Sequence, residues 1–240
     1  MRALIVALVL VTLPWPVAAQ ELSISLGEGG SISARTVQLI ALITVLSLAP
    51  GLAIMITAFP FIITVLSILR QGIGLQQSPP NMLLVSLALF LTWFVMEPTF
   101  TAAWDQGIAP LVAEEVELTE GLARAIEPFR GFMAARIDGE TFAAMAALRP
   151  DAAAIPPGPD APLSVLVPSF MLSEIARAFQ VGFLIFLPFL IIDLVIAAVL
   201  MSMGMMMVPP AIVSLPFKLA FFVIADGWSL IAASLVRGYM

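Results

Sequence analysis

From Thr36 to Leu69 the chain is apolar for 34 residues, and that run constrains the fold more than any other feature. A helix needs only about 20 such residues to cross the hydrocarbon core of a bilayer. Pro50-Gly51 and Pro60 interrupt the run, and proline both removes a backbone donor and crowds the preceding turn. The pattern therefore predicts a broken helix over 36–69, or two helices meeting at Pro50-Gly51, rather than one straight rod. Further apolar segments occupy 82–98, 166–203 and 211–240. With 61% hydrophobic residues bunched in this way, the chain exceeds the roughly half expected of a soluble domain. The expected class is an all-α membrane protein of kinked helical hairpins with an exported acidic helical region.

The first nineteen residues have the layout of a secretory signal. Met1-Arg2 is the positive start, Ala3 to Leu13 an apolar core too short to span, and Val17-Ala18-Ala19 the small residues before cleavage at Gln20. Residues 20–35 then form an exported lead-in. In the turn at 70–81, Arg70 marks the cytoplasmic side, because cytoplasmic loops favour Lys and Arg. The stretch 99–165 carries ten Asp/Glu against four Arg and so belongs on the opposite, periplasmic face. Within it, Leu111–Ile126 and Gly139–Leu148 have helical patterns, and the five prolines from Pro150 to Pro162 mark a linker. Glu97-Pro98 is expected to close the 82–98 helix. Pro168 is expected to open the long helix after it, where a missing N–H costs nothing.

Composition removes several function classes. There is no cysteine and no histidine, so disulfides, thiolate chemistry, the usual general base and the commonest zinc ligand are all excluded. Gly72-Ile-Gly74 lacks the third glycine of a dinucleotide fingerprint and follows no strand, and no Walker loop is present. Neither an enzyme nor a cofactor is expected. A net charge of −6 on an aliphatic chain also excludes nucleic acid as a partner.

Two features carry functional information. Five of the seven residues from Met201 to Met207 are methionine, and Pro209-Pro210 follows them. Methionine is unbranched and polarizable, so it repacks around different neighbours. Gly204 and the proline pair break regular helix, leaving a soft apolar loop over 204–210. In a membrane such a loop suits a passage that must stay tight yet open for varied cargo; the plainer reading is packing against lipid. The second feature is a set of charges inside apolar sequence. Lys218 and Asp226 are eight residues apart, close to one helix face, Asp193 is likewise isolated, and Glu174 stands with Arg177 at the head of the long helix. A charge facing hydrocarbon costs several kcal/mol, so each should find a partner. Lys218 has three candidates in Asp193, Asp226 and Glu174, the last attractive as a pair between copies. Packing and assembly pairs are preferred to a proton relay, which usually shows several acids along one path.

Three blocks together resemble the FliP family. The first is Phe61-Ile-Ile-Thr-Val-Leu-Ser-Ile-Leu-Arg70-Gln-Gly-Ile-Gly-Leu-Gln-Gln-Ser-Pro-Pro-Asn81. The second is Pro168-Ser-Phe-Met-Leu-Ser-Glu-Ile175 through Ala178-Phe-Gln-Val-Gly-Phe183. The third runs from Phe189-Leu-Ile-Ile-Asp193-Leu-Val195 through the Met tract to Leu215-Pro-Phe-Lys218-Leu219 and Asp226-Gly-Trp228. The resemblance implies a core subunit of the type III export gate at the base of the flagellum, in the bacterial inner membrane. It implies five copies that join FliQ and FliR homologues, among other export-apparatus membrane proteins, in a helical cone passing unfolded substrates. The cone would sit largely above the membrane plane, so that buried charges pair between subunits. The tract Met203, Gly204, Met205, Met206, Met207 would be the gating loop. A rival of another class, a small-solute secondary transporter, would use Asp193, Lys218 and Asp226 around broken helices. A purely structural anchor for the basal body would leave the Met loop without a role.

Overall fold

The computed structural model describes residues 32–75, 78–149 and 155–239; the expected signal at 1–19 and most of the 20–35 lead-in lie outside them. The described residues hold helices and turns and no strand. Two units divide the chain after Leu48.

The described part of the first unit is the beginning of α1 (Ile32–Met55). Its polar side chains turn back on their own helix: Thr44 Oγ1 donates to the Ile40 carbonyl at 2.8 Å and Ser47 Oγ to that of Ile43 at 2.7 Å. A hydroxyl on an apolar helix is satisfied in this way without water. Val37, Ile40, Ile43 and Leu48 are exposed.

The second unit is built on α2 (Phe59–Ile73), which buries Phe61, Ile62, Val65, Leu66, Leu69 and Ile73 at helical spacing. At 15 residues it is too short to span. It is the core helix, lying along α7 (Leu163–Ser202) and also against α3 (Asn81–Ala103). The helix break in the 36–69 run falls at 56–58, ahead of Pro60, rather than at Pro50-Gly51. Pro50 is carried inside α1, whereas Pro60 takes the first turn of α2, where proline is preferred.

Two other prolines also fail to bound helices. Pro98 lies within α3, which continues through a π turn (Trp104–Ile108) into α4 (Ala109–Val112). Pro168 sits inside α7, whose start is set instead by Pro162, with the Val165 and Leu166 amides both donating to its carbonyl at 2.9 Å. Apolar helices tolerate proline when neighbouring helices and local adjustments compensate for the lost bond. The region 99–165 adds α5 (Leu118–Ala134) and α6 (Gly139–Ala147), so the predicted 111–126 helix is interrupted at 113–117. Asp138 caps α6 by accepting the Thr141 amide at 2.9 Å. Met133, Phe142, Ala146, Ala161, Val165, Leu166 and Phe170 form a second core beneath these helices.

After α7 come α8 (Pro210–Ile224) and α9 (Gly227–Arg237), bent by 62° from each other, where the sequence predicts one helix. The 32 residues from Asn81 to Val112 and the 40 of α7 are each long and apolar enough to cross a membrane, and the bent α8–α9 pair qualifies as a broken span. At about 1.5 Å per residue, α7 has a contour of about 60 Å, twice the hydrocarbon thickness.

Candidate functional site

The Met tract closes α7 by a definite piece of backbone chemistry. Gly204 adopts φ 74°, the left-handed conformation that costs glycine nothing. This lets the Met205 amide donate to the Leu200 carbonyl at 2.9 Å and the Gly204 amide to that of Met201 at 3.0 Å. These are the paired bonds of a Schellman C-cap. The Val208 amide then donates to the Met205 carbonyl at 3.3 Å, and Pro209 leads into α8. The expected soft loop therefore has a hydrogen-bonded backbone; its pliability resides in the side chains. Those side chains stand free, with Met203, Met205, Met206 and Met207 exposed to 66%, 46%, 84% and 96%.

Of the three partners open to Lys218, the fold selects Asp193. Its Nζ donates to Asp193 Oδ2 at 2.6 Å and to the Gly72 carbonyl at 3.1 Å. Ser214 donates to the other Asp193 oxygen at 2.6 Å. The network ties the end of α2 to α7 and α8. Gly74, at φ 90°, closes α2, and a Cβ there would lie 3.8 Å from the lysine nitrogen. The Gly72-Ile-Gly74 segment, unremarkable as a nucleotide motif, is thus a backbone seat for the ammonium.

Glu174 is fully buried and belongs to a different cluster. Arg136 Nε donates to its Oε1 at 2.8 Å, and the Tyr239 hydroxyl donates to its Oε2 at 2.5 Å. Arg177 adds an ion pair at 3.6 Å. Arg136 also donates to the Gly238 carbonyl at 3.1 Å. Burial first, and the Glu174 charge second, push the Tyr239 phenol well above its ordinary pKa. Within one chain, Glu174 and Lys218 therefore pair with other residues and not with each other. Asp193 and Glu174 are 19 residues apart on α7, about 29 Å along a helix. The Glu174 side chain is wholly enclosed within the chain.

Asp226 lies in no buried pair. It is exposed at φ 48° and forms the corner between α8 and α9, accepting the Ser229 hydroxyl at 3.1 Å. Aspartate is one of the few residues that tolerate this backbone region. The corner takes Asp226 off the helix of Lys218, which removes the shared face expected from their spacing. Trp228 packs edge-on against Phe222 at 5.3 Å.

Sequence reasoning missed Arg136, Tyr239, Ser214 and Gly72. Arg136 has the look of one more surface charge, but Tyr239 carries a usable signal as the only tyrosine of the chain. Among the described residues no three metal-ligating side chains come together.

A profile described as "FliP family" matches residues 42–235. The chain belongs to the FliP family. It is 52% identical over 226 residues to the flagellar biosynthetic protein FliP of Caulobacter vibrioides, covering 92% of this chain and 83% of that one. The protein of the same name from Agrobacterium fabrum is 46% identical over 244 residues, 99% of each chain. The one from Bacillus subtilis is 46% identical over 208 residues, 85% of this chain and 92% of its own. The FliP match takes in the Met turn, the Lys218–Asp193 network and Glu174 with Arg136. Tyr239 lies beyond it.

Proposed function

We propose that this chain is a flagellar biosynthetic protein that forms the protein-conducting channel of an export gate. Several copies, five on the family resemblance, assemble with FliQ and FliR homologues around the path of unfolded flagellar substrates. The gate sits in the bacterial inner membrane with the acidic 99–165 region in the periplasm. The Met turn seals the lumen, and its thioethers part when a substrate arrives.

The observation that carries this reading is the exposure of Met206 and Met207, 84% and 96%, at the tip of a fixed turn between two apolar helices. Apolar side chains displayed so fully call for an apolar partner, and copies meeting on a common axis supply one. Membership of a family whose named relatives are flagellar biosynthetic proteins supports the setting. The length of α7, about 60 Å, supports a body that continues outside the hydrocarbon layer. The charges needed by a solute transporter favour that rival less, because Lys218 and Asp193 already satisfy each other. Driving force has to come from other components, since a Met gasket is passive.

The test replaces Met205, Met206 and Met207 by alanine in the assembled complex and measures ion leak and flagellin export together. A leaky membrane with altered export is the expected result. Tight membranes with normal export would sink the gasket and leave a structural anchor as the better description.

A further inference from the structure

The chain has thirteen methionines and no cysteine, so thioethers are its only sulfur chemistry. The structure sorts them sharply. Met96 and Met133 are fully enclosed, each at 0% exposure, whereas Met206 and Met207 stand almost free. Met82 is also exposed, but it lies on α3 within a segment apolar enough to sit in hydrocarbon. Among the described residues Met206 and Met207 are thus the most exposed thioethers, with Met203 at 66% and Met205 at 46% beside them, and the gasket reading turns them toward the lumen, where reagents in water meet them.

We propose that Met205, Met206 and Met207 form a site of reversible two-electron oxidation, at which a hydroperoxide converts thioether to sulfoxide and loosens the seal. A sulfur lone pair attacks the terminal peroxide oxygen, an S–O bond forms as the O–O bond breaks, and that oxygen's proton passes to the departing oxygen, which leaves as an alcohol or as water. Sulfur loses two electrons and the peroxide gains them, with no other reactant. Hydrogen peroxide is neutral and nearly water-sized, so it reaches a lumen that excludes ions. The sulfoxide is polar and chiral where the thioether was flexible and apolar. A ring of such groups hydrates, and hydration is what an apolar seal prevents. The turn backbone is held by amide–carbonyl bonds, so oxidation alters the surface of the plug without dismantling its frame. Both sulfoxide epimers are reduced enzymatically, which makes the change reversible.

This inference rests on the gasket reading, and the experiment separates the two. The intact complex is placed in liposomes, treated with dilute hydrogen peroxide, and examined by peptide mass spectrometry alongside ion leak. Sulfoxide is expected in the Met turn at least ~10-fold faster than at Met96 or Met133, with a several-fold rise in leak. Treatment with reductases for both epimers should restore tightness. A Met205→Leu, Met206→Leu, Met207→Leu variant has no thioether in the turn to oxidise, so its leak, whatever its resting level, should not change on peroxide treatment. Equal oxidation of turn and buried methionines, or sulfoxide in the turn with no change in leak, overturns the proposal. A Met205→Gln, Met206→Gln, Met207→Gln variant tests the gasket alone. If it leaks while oxidised wild type stays tight, only the redox site is lost; if it is as tight as wild type, the gasket itself fails.

Discussion

The guanidinium carbon of Arg136 lies 3.7 Å from the centre of the Tyr239 ring. The same guanidinium holds Glu174 and the Gly238 carbonyl. A residue of the acidic region thus pins the segment just after α9 to the first third of α7. Breaking a buried pair leaves a stranded charge and costs about 3–5 kcal/mol. Arg136→Ala should therefore lower stability by that order, while Tyr239→Phe, which removes one bond to a carboxylate, should cost about 1.5–3 kcal/mol. Thermal unfolding of the two variants in one detergent checks the ranking.

Tyr239 can be followed without a label, because tyrosinate absorbance in this chain has a single source. An unfolded tyrosine ionises near pH ~10. Burial and the Glu174 charge raise the folded value above that. The stabilising contribution is then complete below pH ~10 and is lost as pH climbs past it toward the folded pKa. Near-ultraviolet titration should show ionisation near the ordinary value in denaturant and a later, unfolding-linked step in the native protein. Coincident curves would refute the enclosed phenol.

The two members of the Lys218–Asp193 pair are not equally enclosed, their side chains being 7% and 33% exposed. Asp193→Ala strands the more buried ammonium and should cost about 3–5 kcal/mol. Lys218→Met fills the same space with a neutral chain and leaves Asp193 its Ser214 bond, so a loss of about 1–3 kcal/mol is expected. The reverse order in a thermal-shift comparison would show that Asp193, not Lys218, is the trapped charge.

Gly204 offers a clean test of the turn, since nothing lies within 4 Å of where a Cβ would stand. Any penalty of Gly204→Ala is then backbone alone, about 1–2 kcal/mol for the left-handed conformation. Gly204→Asn should cost less, because asparagine visits that region readily. Hydrogen exchange at the Met205 amide, which donates to Leu200, reports the loosening directly.

The helical class and the position of the Met turn were legible because they depend on local signals, apolar run length and a glycine–proline stop. The helix boundaries placed at Pro98 and Pro168 were not, since neighbouring helices compensate for a missing donor in ways composition does not reveal. The charges show the same division. Isolation in apolar sequence marked Lys218, Asp193 and Asp226 as needing partners, and Glu174 entered as one candidate for Lys218. Which partner each found depends on packing between residues 25, 38 and 65 positions apart. Asp226 misled for a local reason, because its left-handed backbone turned an expected helix interior into a corner.

α7 joins the Glu174 clasp to the Met turn in one helix, with Ser202 28 positions after Glu174. At about 1.5 Å per residue this is a lever arm of about 42 Å. Tilting it by about 5° about its anchored end sweeps the far tip sideways by nearly 4 Å, about two-thirds of a helix radius with side chains. A rearrangement too small to disturb the anchoring bonds therefore arrives at the opposite end as a displacement the width of a carbon chain.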